Sequence, residues 1–173
     1  SPTVIMMLVG VLIASWIASG TVPTIIYWGL KLINPALFLV TASLLCAIVA
    51  IAIGSSWSTA GTVGVALMGI GMGLGINPAM TAGAILSGSY LGDKMSPMSD
   101  TTNLAPAVAE ADLFDHIRSM MFTTGPAFVI SLVIYGVLGM QYNSGSVDNE
   151  IVTEILNAIQ ANFNMNLLVL LPP

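Results

Sequence analysis

Gly92-Asp93-Lys94-Met95-Ser96-Pro97-Met98-Ser99-Asp100-Thr101-Thr102-Asn103 gathers two carboxylates, a lysine, four hydroxyls and one amide side chain into twelve positions between strongly apolar flanks. Pro97 has no backbone N–H, and its ring disfavours a helical residue before it, so the helix entering this stretch is predicted to stop here. At membrane depth, backbone outside a helix and ionisable groups are tolerated only where protein buries them or where they line a watery cavity. The stretch is therefore the candidate site.

Composition supplies the setting. Hydrophobic residues make up 56% of the chain and charged ones 6%, and the mean hydropathy is +0.95, whereas a soluble domain carries about 25% charged residues. This is the composition of an all-α membrane protein. The basic residues Lys31, Lys94 and Arg118 are too few for a nucleic-acid-binding patch. Cys46 is the lone cysteine, which excludes a disulfide framework and a cysteine metal site and reads as a small buried hydrophobe. The first segment has no basic lead and no small-residue cleavage site, so it is not read as a signal peptide. A start at Ser1-Pro2 and an end inside a new apolar run give the expectation of a piece of a longer chain.

Residues 4–33 are apolar but interrupted by Ser19-Gly20-Thr21-Val22-Pro23, which predicts a kinked or broken helix. Asn34-Pro35 marks a turn and a fresh helix start. Residues 37–75 read as a helical hairpin with its tip at 54–61, because each arm is short for a full span and the tip replaces branched aliphatics with Ser55, Ser56 and Thr59. Gly69, Gly71, Gly73 and Gly75 lack the spacing of a nucleotide loop and read as helix-packing glycines. Asn77-Pro78 opens the next element, a broken helix over 78–106.

Beyond it, 110–122 is amphipathic: Leu113, Phe114, Ile117, Met120 and Met121 fall on one side and Asp112, Asp115, His116 and Arg118 elsewhere, which predicts a helix lying in the membrane interface. His116 reads as solvated at the headgroup level, with a proton relay as the sharper alternative. Gly125-Pro126 is expected to start a transmembrane helix over 125–140. Residues 141–164 form a polar loop with a short helix outside the core, and 165–173 begin another span. Arg118 puts 110–122 on the cytoplasmic side and the acidic 141–162 outside, with Lys31 against the rule.

A cation stripped of water needs several oxygen ligands and negative charge. Ser99, Asp100, Thr101, Thr102 and Asn103 offer five such side chains in a row, and an unwound backbone and half-helix ends would add to them. Helix capping by Ser99 or Asp100 explains one or two of the five. The ionised form of Asp93 is favoured by neighbouring Lys94 and disfavoured by loss of water, so it is a candidate to trade a proton for a metal cation; a structural Asp93–Lys94 pair is the alternative.

Four stretches resemble the NhaC family of Na+/H+ antiporters: Ala18 to Thr24, Gly54 to Gly64, Ser87 to Ala107 and Asp112 to Ile117. The likeness runs over nearly the whole chain, is weakest over 141–162, and has its most specific part in 92–103. It implies a polytopic helical transporter built from inverted repeats, in which 37–75 is a re-entrant hairpin and 78–106 a broken helix of one repeat. It implies a secondary transporter, not an enzyme, that exchanges Na+ for H+ by competitive binding at Asp93 and Asp100. Ser99, Thr101, Thr102, Asn103, Ser55, Ser56 and Thr59 would supply neutral oxygens, Lys94 and Ser96 would support them, and Na+ would sit at Asp100, Thr101 and Asn103, with Asp100 the leading carrier. No cofactor is expected beyond the transported ions. The expected surroundings are the inner (plasma) membrane and its lipid bilayer, the remaining half of the transporter and, as a further option, a homodimeric copy; no nucleic acid. An exchanger of organic acids, malate for lactate, is the alternative within the family. An intramembrane aspartyl protease fits poorly, because Asp93 and Asp100 share one short loop.

Overall fold

The computed structural model describes residues 18–32, 34–143 and 149–163, with isolated positions before residue 18. Every regular element among the described residues is helical. A turn at Ser19–Gly20, where Gly20 has φ +84°, precedes α1 (Thr21–Leu32). Most of 4–17, and all of 144–148 and 164–173, lie outside the described residues. Asn34 accepts a hydrogen bond from the Ala36 N–H and starts a 3-10 turn, Pro35–Leu37, which leads into α2 (Phe38–Ile53). Then come α3 (Ser56–Thr59), a π-helical turn (Ala60–Gly64) and α4 (Val65–Gly73). Asn77 caps α5 (Pro78–Met95) by accepting from the Ala79 N–H. The chain continues through α6 (Asp100–Ala109), α7 (Leu113–Met140) and α8 (Asn149–Asn162).

The centre is the α2–α5 pair. A Cβ on Gly88 would collide with the Ser43 carbonyl, and one on Gly92 would meet the Ala47 carbonyl and stand 2.8 Å from the Ile51 backbone nitrogen. Further along, Ser96 Oγ donates to the Ile51 carbonyl at 2.7 Å. Contacts 43 with 88, 47 with 92 and 51 with 96 rise together, so the two helices run parallel and their C-terminal ends arrive side by side. Small residues four apart permit such backbone approach.

The return arm takes other partners. α4 packs chiefly on α1, where Gly69 and Gly73 receive Ile26 and Leu30 while Gly29 receives Ile70. Gly71 backs onto Thr81 and Phe38. The glycine run is thus a packing surface. α8 lies on α1 and α4, with Gln160 Nε2 donating to the Tyr27 hydroxyl at 2.7 Å and Leu156 against the core, so this helix is joined to the core.

Two readings of the sequence are corrected. The helix expected in the interface over 110–122 and the span expected over 125–140 are one helix, Leu113–Met140, about 42 Å long at 1.5 Å per residue. Glu110, in the left-handed region at φ 52°, ends α6, and Asp112 Oδ1 accepts from the Phe114 and Asp115 N–H groups to start α7. Pro126 removes one intrahelical bond without ending the helix, and Thr123 Oγ1 donating to the Met120 carbonyl at 3.0 Å shows hydroxyls serving the backbone nearby. A hydrocarbon layer is about 30 Å thick, so this helix is long enough to cross it with its charged first turns outside. Among the described residues, two helical stretches, Pro35–Ile53 and Leu113–Met140, are long and apolar enough to cross a membrane.

The second correction concerns the breaks. Of residues 54–61, read as the hairpin tip, only Gly54 and Ser55 leave the helix; within the broken helix read over 78–106, only 96–99 do. Ser55 and Ser99 cap the following helices so promptly, accepting from the Ser58 and Thr102 N–H groups, that each break is a tight turn.

Candidate functional site

The two breaks lie against each other. Gly54 ends α2 at φ +75°, its N–H donating to the Ala50 carbonyl, and a Cβ there would stand 2.7 Å from the Met98 carbonyl carbon. Only glycine combines that φ with that contact. Ser96, fully buried, ties the second break to the end of α2 through Ile51 and accepts from the Met98 N–H at 3.2 Å.

Asp93 sits in the last turn of α5 beneath this junction and is 9% exposed. Ser56 Oγ donates to its Oδ2 at 2.9 Å, while its Oδ1 is buried without a hydrogen-bond partner among the described residues. Thr102 Oγ1 donates to the Asp93 carbonyl at 3.0 Å and reaches the Lys94 carbonyl at 3.3 Å, so α6 grips the end of α5. Lys94 is exposed, because neighbouring helical side chains point about 100° apart; the two adjacent charges face different surroundings.

Asp100 is placed elsewhere. It is exposed in the first turn of α6, with Oδ1 accepting from the Thr101 N–H at 2.9 Å. A carboxylate there complements the positive N-terminal end of a helix. Ser99, fully buried, caps α6 and shares a 2.9 Å hydrogen bond with Thr101 Oγ1. Asn103 uses its amide nitrogen on the Pro97 and Ser99 carbonyls, at 2.8 and 2.7 Å, and so braces the turn. Thr59 is fully buried but donates to the Ser55 carbonyl.

Ser56, Asp93, Ser96, Ser99 and Thr102 are therefore brought together, while Asp100, Thr101, Asn103 and Lys94 occupy its exposed side. Sequence reasoning missed the Ile51 carbonyl and the pairing of Gly88 and Gly92 with Ser43 and Ala47. The available signal was the series Ala84, Gly88 and Gly92, small residues four apart. The C-terminal ends of α2 and α5 and the N-terminal ends of α3 and α6 meet here, so partial charges of both signs border the junction.

The Na+/H+ antiporter family model matches residues 88–172. The chain is 46% identical over 172 residues to the Na+/H+ antiporter NhaC of Alkalihalophilus pseudofirmus, covering 99% of this chain and 37% of that protein. It is 43% identical over 168 residues to the malate-2H+/Na+-lactate antiporter of Bacillus subtilis (97% and 36% covered). To the arginine/ornithine antiporter ArcD of Halobacterium salinarum it is 50% identical over 170 residues (97% and 35%). The chain thus spans a little over a third of the length of these curated relatives. No solved structure matches it significantly. With 46% and 39% identity to two NhaC antiporters, each over 172 residues, and a family-model match over 88–172, the chain belongs to the NhaC family of Na+/H+ antiporters.

Proposed function

We propose that this chain forms the ion-binding part of a secondary transporter that exchanges Na+ for H+ across the plasma membrane, with Asp93 as the exchanging group. The observation that carries the reading is the buried Asp93 carboxylate, one oxygen held by Ser56 and the other without a partner, under two helix C-terminal ends. A carboxylate away from water is costly when bare; it is stable paired with a cation or neutralised by a proton. Na+ and H+ therefore compete for it, and alternating exposure to the two sides turns that competition into exchange. Ser96, Ser99 and Thr102 hold the junction, and Asp100, with Thr101 and Asn103, forms an outer cation station on its exposed side.

In this reading the α2 end and the α5–α6 break are the re-entrant tip and broken helix near the middle of the bilayer. α7 crosses with its Arg118 end in the cytoplasm, and the rest of the transporter closes over Asp100. A second copy of the chain is a further partner. Relatives named for malate/lactate and arginine/ornithine exchange make organic solutes the alternative cargo, tested by adding them to the same assay.

The test uses the full-length transporter in everted vesicles. Asp93→Asn keeps the shape and removes the titratable charge, and is expected to abolish Na+-dependent proton movement with membrane abundance unchanged. Asp100→Asn is expected to raise the Na+ requirement while retaining exchange. Wild-type exchange by Asp93→Asn, with loss in Asp100→Asn, would move the carrier to Asp100.

A further inference from the structure

Five helical hydroxyls donate to the carbonyl one turn back: Thr41 to Leu37, Thr59 to Ser55, Thr62 to Ser58, Thr81 to Asn77 and Ser131 to Ala127. Ser43 and Ser89 depart from this habit although both are wholly buried. Ser43 Oγ and Asp93 Oδ1 have no hydrogen-bond partner among the described residues, and Ser89 Oγ has only the Cys46 thiol. A buried polar atom without a protein partner points to water or an ion beside it.

Ser43, Ser89 and Asp93 belong to the α2–α5 seam, whereas Thr24 Oγ1 and Trp28 Nε1, also buried without a partner among the described residues, lie on α1. Ser89 precedes Asp93 by four residues, so α5 presents them on one face a turn apart. The Ser43 carbonyl occupies the space a Cβ on Gly88 would take, which sets Ser43 level with Ser89. The Cys46 thiol lies beside the Ser89 hydroxyl, and a thiol is too weak a donor and acceptor to satisfy it. At Gly88 and Gly92 the facing backbone fills even the volume of a methyl group. At these two contacts the seam therefore has no room for a cation with its ligands.

We propose that Ser89 and Ser43 continue the Asp93 site into this seam as a proton relay, carrying protons through intervening water to and from Asp93 Oδ1. A hydroxyl suits the task because it gives its own proton forward as it accepts another on a lone pair, ending neutral and unchanged. The relay rests on Asp93 being the exchanging carboxylate.

Its test places Ser43→Ala, Ser89→Ala and the double variant beside Asp93→Asn in the full-length transporter. Each single variant is expected to lower the exchange rate at saturating Na+ about tenfold with the half-saturating Na+ concentration unchanged. The double variant is expected to be no slower than either, because stations in series do not add. Wild-type rates in the serine variants with Asp93→Asn inactive would sink the relay alone. A raised half-saturating Na+ with the maximal rate intact would overturn it by making the serines cation ligands. Wild-type exchange by Asp93→Asn would remove the reading beneath it. Should alanine lower abundance, Ser89→Cys keeps the shape with a weaker hydrogen-bond donor and acceptor, and its normal maximal rate would equally overturn the relay.

Discussion

Where α2 lies against α5 the facing residues are Ser43, Ala47, Ala50, Gly88, Ser89 and Gly92, all buried; along α7, Phe122, Val129, Ile130, Val133 and Val137 are all exposed. At the seam the buried groups are small or polar, and along α7 branched and aromatic ones are bare, while Phe38, Leu39, Leu67 and Ile70 fill a buried apolar core beside the seam. The seam gains its cohesion from backbone contact, which only small residues allow, while its Ser43 hydroxyl is left without a partner among the described residues. The outer face of α7 needs no protein partner if its solvent is hydrocarbon. Soluble proteins seldom leave so much contiguous apolar surface bare. The contrast teaches that the same rule, that each group meets a solvent matching it, places Asp93 in the seam and Val133 on the surface.

The largest effect is expected in the seam. Gly88→Val would drive side-chain atoms into the Ser43 carbonyl, which is backbone and cannot swing aside, and should destabilise the fold by about 3 kcal/mol or more. Gly136→Ala is the control: its Cβ would meet only Val40 Cγ2 at 3.8 Å, and helix propensity predicts a change between zero and a gain of about 1 kcal/mol. Unfolding midpoints of the full-length protein in micelles would read both. Equal losses at the two glycines would break the distinction between seam and surface.

Val133→Lys probes the other side. If lipid is the solvent of α7, a lysine near the middle of the helix costs about 2.5 to 3.5 kcal/mol in a membrane-insertion assay; on a watery surface it would change stability by no more than about 0.5 kcal/mol. The smallest effect is expected at the junction. Ser56→Ala removes the donor that fixes Asp93 Oδ2, so the carboxylate is less well placed to hold a cation. The half-saturating Na+ concentration should rise roughly tenfold, as for one hydrogen bond to a charged group. An unchanged Na+ requirement would mean that the 2.9 Å contact does not tune the site.

Much of this was legible in the chain itself, wherever the chemistry is local. Fifty-six per cent hydrophobic residues announce a membrane protein because composition alone fixes the favoured solvent. Asn34-Pro35 and Asn77-Pro78 carry their caps within three residues, and Pro97 with Ser99 sets a helix end and the next start side by side. Other features turn on relations between distant residues. The sequence could not tell Asp93 from Asp100, since burial depends on the parallel register that puts residue 47 opposite 92, set by backbone contacts at Gly88 and Gly92. Nor could it show that α7 runs through Pro126, because a proline starts a helix or sits inside one according to what precedes it, and here Asp112 had already capped the helix. Sequence determined which groups must avoid water and where the chain turns; tertiary structure decided which carboxylate lost its water, because only the packing of two helices 45 positions apart, 43 against 88, removes it.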